Sequence, residues 1–454
     1  MLVGGQPGPW GPAVDRGRRW RLWRRWGAIL SVAALVAGLA IATTTRLLVQ
    51  QAETNLTRVA VPELDLPAVA SSARNFLLVG SDARDELDPE DRSNLTLGDF
   101  EGQRSDVIIY ISISEHRDTI SLVSLPRDLM VFDDGRQRKL TDTFAGGPDE
   151  LVRVIRDNFG LPINHYAAIS LGGFVEVVRT LGEVEICLDE SLVDPKSGAD
   201  FTEGCHDMDA GEALSYVRSR QGTYADFDRI GRQQNFIRAV LSELTAARVL
   251  ANPPRLFQLT EDVATNLTTD DGLEVATMLG LSGEMRQVVG AGVPMATVPA
   301  YPRRIDGVEF MVAYRPGAEA MFADLRAGRP LPEPGTRDER EETTVAVYAG
   351  GRSEGAGIVR QTLAFGGFLA GSAGHGPQII DGGARTTVYV LPGWEAQAGW
   401  VAASLGAPTR ALPEGVELPT GVQVVVATGD DAAGDDAAGD DAAGDDAAGG
   451  AANR

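Results

Sequence analysis

The sequence predicts an α/β fold, a mixed β-sheet sandwiched by helices with a second, small α/β domain after it and one transmembrane helix before it. Three observations carry that prediction. Short apolar, β-branched runs alternate with stretches of helical periodicity from about residue 73 onward. A charged, proline-containing stretch, LPEPGTRDEREE at 331–342, interrupts the alternation before it resumes. Near the N-terminus an uncharged run, GAILSVAALVAGLAIATTT at 27–45, follows a cluster of arginines and tryptophans.

Residues 1–26 read as a basic cytoplasmic segment ending in RGRRWRLWRRW, with Trp20, Trp23 and Trp26 suited to a lipid–water interface. The run at 27–45 rises about 1.5 Å per residue and so nearly crosses a hydrocarbon core of roughly 30 Å. Its arginine flank stays on the cytoplasmic side, which predicts a single-pass protein of the cell membrane with the C-terminal bulk extracytoplasmic. A cleaved signal peptide is the competing reading, because ATTT imitates a weak cleavage region. The length of the apolar run and Arg46 after it favour an uncleaved anchor. Residues 46–72 read as a polar linker.

The main domain, 73–330, opens with NFLLVGSD (75–82), DVIIYISIS (106–114) and TISLVSLP (119–126), whose apolar character suits strands buried on both faces. The second and third, joined at EHRD, form a hairpin. Helical patterns cover 148–159, 172–181 and 229–247, and a helix near 271–288 and a strand near 295–299 complete the domain. After the linker at 331–342, residues 343–428 read strand, helix, strand, helix, strand, without a catalytic cluster. From Gly429 the unit GDDAA is repeated four times. This acidic tail, 429–454, cannot bury apolar area to offset its chain entropy, so disorder is expected.

A chain of 454 residues with 43% hydrophobic content can hold two or three cores. Its formal charge of −23 argues against a nucleic-acid partner, since the field of the whole chain repels a phosphate backbone. Cys187 and Cys205 are the two cysteines. In an oxidising compartment such a pair forms a disulfide clipping a loop, worth on the order of 3 kcal/mol in the loop-entropy model. Two reduced core thiols, or half a metal site with His206 nearby, are the rivals.

Charged residues mark the strand ends, where ligands usually bind in α/β sheets. Asp82 and Arg84 follow the first strand, Arg104 and Asp106 open the second, and Arg127 and Asp128 close the third. AGEALSYVRSR is expected to begin as a helix and become extended at Val217, which puts Arg218 and Arg220 on one face. Asp226 or Asp228 would cap a helix beginning at Arg229, on which Arg229 and Gln233 share a face that continues into Phe236, Ile237 and Val240 and so points inward. Inward arginines need an anion, and their planar forks match phosphate oxygens. Asp82 and Asp106 fit beside phosphate only if a hard divalent cation such as Mg²⁺ bridges the two. The sum is a pyrophosphate site.

At this point the residues resemble the LytR-CpsA-Psr family, whose members attach glycopolymers to the bacterial cell wall. The resemblance rests on five ordered segments, NFLLVGSDARDE, RSDVIIYISI, ISLVSLPRDLMV, INHYAAISLGGFVEVVRTLGEVEICLDE and GEALSYVRSRQGTYADFDRIGRQQNFI, spanning about 75–240. It implies that Asp82 and Asp106 hold Mg²⁺ or another divalent cation such as Mn²⁺, and that Arg127, Arg218, Arg220, Arg229 and Gln233 are catalytic ligands of the pyrophosphate. Arg84, Arg104, Asp226 and Lys139 are expected around the substrate. The resemblance further implies an apolar tunnel for a polyprenyl tail between sheet and helices, and a C-terminal domain of the LytR type. This chain departs from the pattern at KLTDTFAGG, where Thr141 stands in place of Asn and Phe144 is the aromatic, and in the insertion LDPEDRSNLTLGDFEGQ between the two metal motifs.

The activity so implied is that of a membrane-anchored phosphotransferase, moving a glycopolymer from a polyprenyl-pyrophosphate carrier to a cell-wall acceptor, peptidoglycan, and leaving a phosphodiester. None of the four His lies within the Arg/Asp motifs, and Asp82 or Asp226 is the candidate base. A hydrolase releasing polyprenyl phosphate with water, and a lipid-binding regulator that turns nothing over, are the alternatives.

Overall fold

The structure, a computed structural model, describes residues 46, 49–64, 73–81, 105–114, 119–222, 225–245, 253–275, 277–278, 293–332, 335–350, 353–375 and 383–433. The chain divides into two compact units, Met1–Thr54 and Asn55–Arg454. In the first, residues 46 and 49–54 are helical. The basic segment and the apolar run at 27–45 lie outside the described residues, among which no helix is long and apolar enough to cross a membrane.

The second unit begins with β1 (Thr57–Val59), β2 (Arg74–Ser81), β3 (Ser105–Ile113) and β4 (Ile120–Ser124). The three strands expected from β-branched runs are therefore present, and β3 and β4 pair antiparallel as a hairpin requires. β1 comes from the stretch expected to be linker: three residues, two of them β-branched, suffice to pair with a sheet edge. A small hairpin of β5 (Met130–Asp133) and β6 (Arg136–Lys139) leads into α1 (Leu140–Thr143) and α2 (Pro148–Phe159). Proline at its start, Asp149 and Glu150 in its first turn, and Gly160 in the left-handed conformation at its end bound α2 at the residues expected. β7 (His165–Ser170) and α3 (Leu171–Leu181) follow, with the Ser170 hydroxyl accepting from the Gly173 amide as N-cap.

Next come β8 (Val184–Leu188), β9 (Leu192–Asp194), β10 (Ala199–Phe201) and β11 (Gly204–Met208), paired as two small antiparallel ribbons. Cys187 and Cys205 stand opposite each other in the β8–β11 pair and form a disulfide. The chain continues through α4 (Ala210–Arg218), α5 (Ala225–Thr245), α6 (Pro253–Asn266), β12 (Leu267–Asp270), β13 (Met295–Thr297), the hairpin β14 (Ala300–Ile305) and β15 (Val308–Ala313), and α7 (Arg315–Arg326). Of the helix expected near 271–288, residues 271–274 are turn and irregular chain instead, residues 275, 277 and 278 are helical, and the remainder lies outside the described residues.

Seven strands form the main sheet in the order β1-β12-β7-β2-β3-β4-β13, with parallel and antiparallel pairs mixed. Alternate side chains serve its two faces. Leu77, Val79, Ile108 and Tyr110 pack with Ile155 of α2 and Phe322 of α7, whereas Phe76, Ile109 and Leu122 pack with Ile237 and Leu241 of α5. Each such burial is worth about 1.5–3 kcal/mol. The predicted mixed sheet between helical layers is the fold observed.

The C-terminal part contains α8 (Arg337–Glu341), β16 (Thr344–Ala349), α9 (Ser353–Phe365), β17 (Leu369–His375), β18 (Thr387–Val390), α10 (Glu395–Leu405), β19 (Thr409–Ala411) and β20 (Val424–Thr428). Its five-stranded sheet runs β17-β16-β20-β18-β19, with β17 and β19 added to the expected strands. Tyr301, Phe310 and Val312 of the β14–β15 hairpin are buried in the same apolar cluster as Val345, Val359 and Val424. α7 and α10 meet backbone to backbone: a Cβ on Gly317 would lie 2.2 Å from the Ser404 carbonyl oxygen, and one on Gly406 2.2 Å from that of Pro316.

The first repeat unit, expected to be disordered, is folded. Asp430–Ala433 forms a 3₁₀ turn in which Asp431 Oδ1 accepts from the Thr386 amide at 2.7 Å and its hydroxyl at 2.8 Å. Ala432 is 1% exposed and sits against Gly355, where a Cβ would come within 2.9 Å of it. Small alanines following two aspartates therefore fit a shallow seat, and the first GDDAA unit closes the C-terminal core. Residues 434–454 lie outside the described residues.

Candidate functional site

Beyond β4 the chain runs Ser124-Leu125-Pro126-Arg127-Asp128, and its backbone is pinned from two sides. The Arg127 carbonyl accepts from the Thr141 amide and the Asp128 carbonyl from the Met311 amide, both at 2.9 Å. Thr141, the departure from the family pattern, thus anchors the loop that carries Arg127, while Phe144 is buried in the main core. The Asp128 carboxylate accepts from Lys139 Nζ at 2.8 Å and from Arg127 Nε at 3.3 Å.

From the opposite side α5 delivers Arg229, 5% exposed, and Gln233 one turn further along. Gln234 is turned elsewhere: its amide donates to Ser124 Oγ at 2.9 Å, the Ala296 carbonyl at 3.2 Å and Thr297 Oγ1 at 3.1 Å, which locks α5 onto β4 and β13. Arg127, Asp128, Arg229 and Gln233 line a small open cleft, with Val107 and Phe365 among its apolar walls. Burial alone would raise Asp128. The hydrogen bond from Lys139 and the charges of Arg127, Lys139 and Arg229 outweigh it and hold the carboxyl below its ordinary range. Three cationic side chains thus act on the one carboxylate of Asp128 at the edge of the cleft.

Two expectations about the arginine-rich segment are corrected. α4 does not become extended at Val217; it continues through Arg218, because Asp209 and Glu212 form a capping box and Ala213, Leu214 and Tyr216 bury a helical face. Arg218, half-buried, ends the helix, and Arg220 is exposed in the turn beyond it; neither is part of the cleft lining. α5 begins at Ala225 rather than Arg229. Nothing between 225 and 228 breaks a helix, and acidic residues are favoured in a first turn, where Asp226 and Asp228 now lie. Gly222, at φ 127°, makes the preceding turn, and a Cβ there would fall 1.9 Å from Asp228 Oδ2.

The turn after α4 is held by residues that the sequence did not single out. Asp194 Oδ2 accepts from the Ser219 hydroxyl and the Arg220 amide, each at 3.0 Å, and Arg232 donates to the Ser219 and Gln221 carbonyls at 3.0 and 2.7 Å. Asp194 lies on β9, inside the loop closed by the disulfide. Arg232, one turn beyond Arg229, could have been flagged by helical spacing. For Asp194 the local sequence held no signal.

Asp82, Arg84 and Arg104 lie outside the described residues, and the side chains of Asp106 and Asp226 are likewise not described. The backbone nevertheless relates the two acidic motifs. Gly80 pairs with Val107 and Ser81 with Ser105, so Asp106 is the extra residue of a bulge beside Ser81, which immediately precedes Asp82. Among the described residues no three Asp, Glu, His or Cys side chains gather as a metal site.

Arg127 beyond β4 and Arg229 on α5 thus meet at one cleft of a mixed α/β fold. The chain belongs to the LytR_cpsA_psr family, whose family model matches residues 41–327. It is 35% identical over 280 residues to "Probable cell wall biosynthesis protein LcpB" of Corynebacterium glutamicum, a match covering 61% of this chain and 66% of that protein. It is 30% identical over 207 residues to "Polyisoprenyl-teichoic acid--peptidoglycan teichoic acid transferase TagU" of Enterococcus faecalis, covering 44% of this chain and 64% of that protein. The chain thus spans just under two thirds of each of these relatives. A solved structure described as "LytR-Csp2A-Psr enzyme from Actinomyces oris" is similar at a TM-score of 0.48 and 23% identity, over 60% of this chain and 96% of that one.

Proposed function

We propose that the protein is a membrane-anchored phosphotransferase that moves a glycopolymer from a polyprenyl-pyrophosphate carrier to a hydroxyl of a cell-wall acceptor, peptidoglycan. The observation that carries this reading is the convergence of Arg127, Lys139 and Arg229 on Asp128, with Arg127, Asp128 and Arg229 lining one cleft. Family membership supports it, as does the printed name of the Enterococcus relative, a polyisoprenyl-teichoic acid transferase. The run at 27–45 would be the anchor, leaving the N-terminus cytoplasmic and the catalytic part outside.

In this mechanism Arg127, Arg229 and Gln233 donate to the pyrophosphate oxygens, with Arg218 and Arg220 approaching from the neighbouring turn. The acceptor oxygen forms a bond to the phosphorus next to the sugar chain, the bond from that phosphorus to the bridging oxygen breaks, and polyprenyl phosphate departs. The acceptor proton passes to a base, Asp82 or Asp226. Asp128 is a poor base, because its cationic neighbours favour the ionised form. It orients Arg127 and Lys139 instead. Asp82 and Asp106, the latter in the bulge opposite Ser81, would hold Mg²⁺ or Mn²⁺, and the cation would supply charge neutralisation for the phosphates. The rest is positioning and electrostatic stabilisation, as phosphoryl transfer requires.

The test is incubation of the purified protein with a short lipid-pyrophosphate glycan, with and without a muropeptide acceptor, and identification of the products by mass. A glycan–phosphodiester–muropeptide product is expected. Release of glycan phosphate by water alone would make the protein a hydrolase, and no turnover in either case would leave only a lipid-binding role.

A further inference from the structure

The β5–β6 hairpin begins just beyond Asp128, and its two faces have different surroundings. One face turns inward. Val131 is fully buried in the main core, Asp133, 7% exposed, accepts from Arg153 of α2 at 2.7 Å, and Arg138, opposite Val131, donates to Glu150 of α2 at 2.6 Å. The other face carries Met130 opposite Lys139 and Phe132 opposite Gln137. Lys139 is tied to Asp128 at the cleft, whereas Phe132, further out along the strand, is 53% exposed, with Gln137 exposed beside it. That exposure is held in place by the fold. Asn158 of α2 accepts from the Phe132 amide at 2.8 Å and donates to its carbonyl at 2.9 Å, so one side chain fixes both backbone groups. The turn at Asp134 and Gly135, with φ 49° and 74°, is of the tight kind whose twist matches the strands it joins. The other large apolar side chains exposed among the described residues, Val193, Val308 and Leu369, are aliphatic.

We propose that Phe132 is a stacking platform for a sugar ring of the glycopolymer donor, among the units nearest the pyrophosphate. This rests on the functional reading above and deepens it. The chemistry of the strip selects a sugar. A pyranose presents a C–H face, which an aromatic ring takes through dispersion and its negative π-face, and a rim of hydroxyls that an amide such as that of Gln137 can bond. A lipid surface is met by a contiguous apolar patch, whereas the residues that follow Phe132 around the turn and expose themselves are Asp134, Arg136 and Gln137. Reach selects the donor. Two residues of strand advance about 7 Å, which separates Phe132 from the Met130–Lys139 pair beside Asp128. The donor's sugars are tied covalently to phosphorus held by Arg127 and must leave the cleft within such a span; an acceptor has no such tether. Phe132 is thus a specificity residue for the glycan and takes no part in the transfer step.

The experiment uses the full-length protein in detergent, titrated calorimetrically with farnesyl pyrophosphate and with the same lipid carrying an N-acetylglucosamine disaccharide on its terminal phosphate. Wild type is compared with Phe132→Ala, Phe132→Leu, Phe132→Tyr and Leu369→Ala, the last truncating a side chain of the C-terminal sheet that is 56% exposed. Phe132→Ala is expected to weaken the disaccharide probe by about tenfold while leaving farnesyl pyrophosphate within about twofold. Phe132→Tyr keeps the ring and should match wild type; Phe132→Leu keeps the apolar character without the ring and should fall with Phe132→Ala. Leu369→Ala should match wild type on both probes. Unchanged affinity for the disaccharide probe in Phe132→Ala overturns the proposal, as does an equal loss on both probes or full recovery in Phe132→Leu. Wild type that binds farnesyl pyrophosphate, and the disaccharide probe no more tightly, overturns it too and leaves the pyrophosphate reading standing. If wild type binds neither probe, the functional reading falls and this proposal falls with it.

Discussion

Asp128 and Asp270 are the same residue type at two places along the main sheet, and both carboxyls sit below their ordinary range, but they are satisfied by different partners. Around Asp270, burial would raise the carboxyl, and hydrogen bonds from His165, the Tyr166 amide and the Gly272 amide more than offset it. Fixed backbone donors match those lone pairs, so the group is absorbed by the fold. Around Asp128 the partners are the long cationic side chains of Arg127 and Lys139. The difference teaches how a buried acid is to be read: carboxylates met by backbone amides hold structure, whereas a carboxylate met by guanidinium and ammonium groups orients those side chains in turn.

The largest effect expected from that distinction is catalytic. Arg229→Ala should lower transfer by about 10²–10³-fold, with Arg229→Lys between it and wild type and Tm little changed. Steady-state turnover and a thermal melt check this; full turnover in Arg229→Ala would make the cationic ring as structural as the surroundings of Asp270.

Next in size is the disulfide, whose loop contains Asp194. Protein exported and purified without reductant should show no titratable thiol, and Cys187→Ser should cost about 3 kcal/mol in denaturant unfolding. Two free thiols would refute it.

Asp270→Asn should destabilise by about 1–3 kcal/mol yet leave turnover unchanged. Its pH dependence has a definite sign. A carboxyl depressed in the folded state stabilises above the unfolded value near 4, and that contribution is lost as pH falls through the lower folded value. Melts recorded from pH 7 to pH 3 should therefore fall less steeply in Asp270→Asn than in wild type. Parallel curves would remove Asp270 from the acid limb.

Smaller still is the effect of Asp194→Asn, which loosens the Ser219–Arg220 turn without touching the cleft. About a tenfold drop in turnover with nearly unchanged Tm is expected, close to 1.4 kcal/mol. Arg304→Lys, at a side chain 68% exposed, is the companion control and should match wild type. Equal turnover in both variants would show that Arg218 and Arg220 need no such positioning.

Much of the fold was legible because its signals are local. The runs that became β2, β3 and β4 are apolar and β-branched, and α2 carries its own start and stop residues. β7, HYAAIS, and β12, LTTD, were not legible, since their pairing is set by neighbours distant in the chain rather than by pattern. The inward face of α5 could be read from spacing, and Arg229 is buried accordingly. The pairing of Lys139 with Asp128 and the grip of Asp194 on the turn after α4 could not, because each joins residues that meet only through tertiary folding. Phe365 was hidden for the same reason: a linker in the sequence suggested a separate module, while the side chain packs across it.

The docked first GDDAA unit has a consequence for how this terminus can change. Because the next units spell the same five letters, removing or duplicating one whole unit leaves the residues that follow Thr428 identical, and the seat at Thr386 and Gly355 is filled as before. Replication slippage in the repeat tract would therefore alter the chain's length and charge while the residues that fill this seat stay the same. The structural selection on that stretch acts on the identity of one copy and is blind to the number of copies after it.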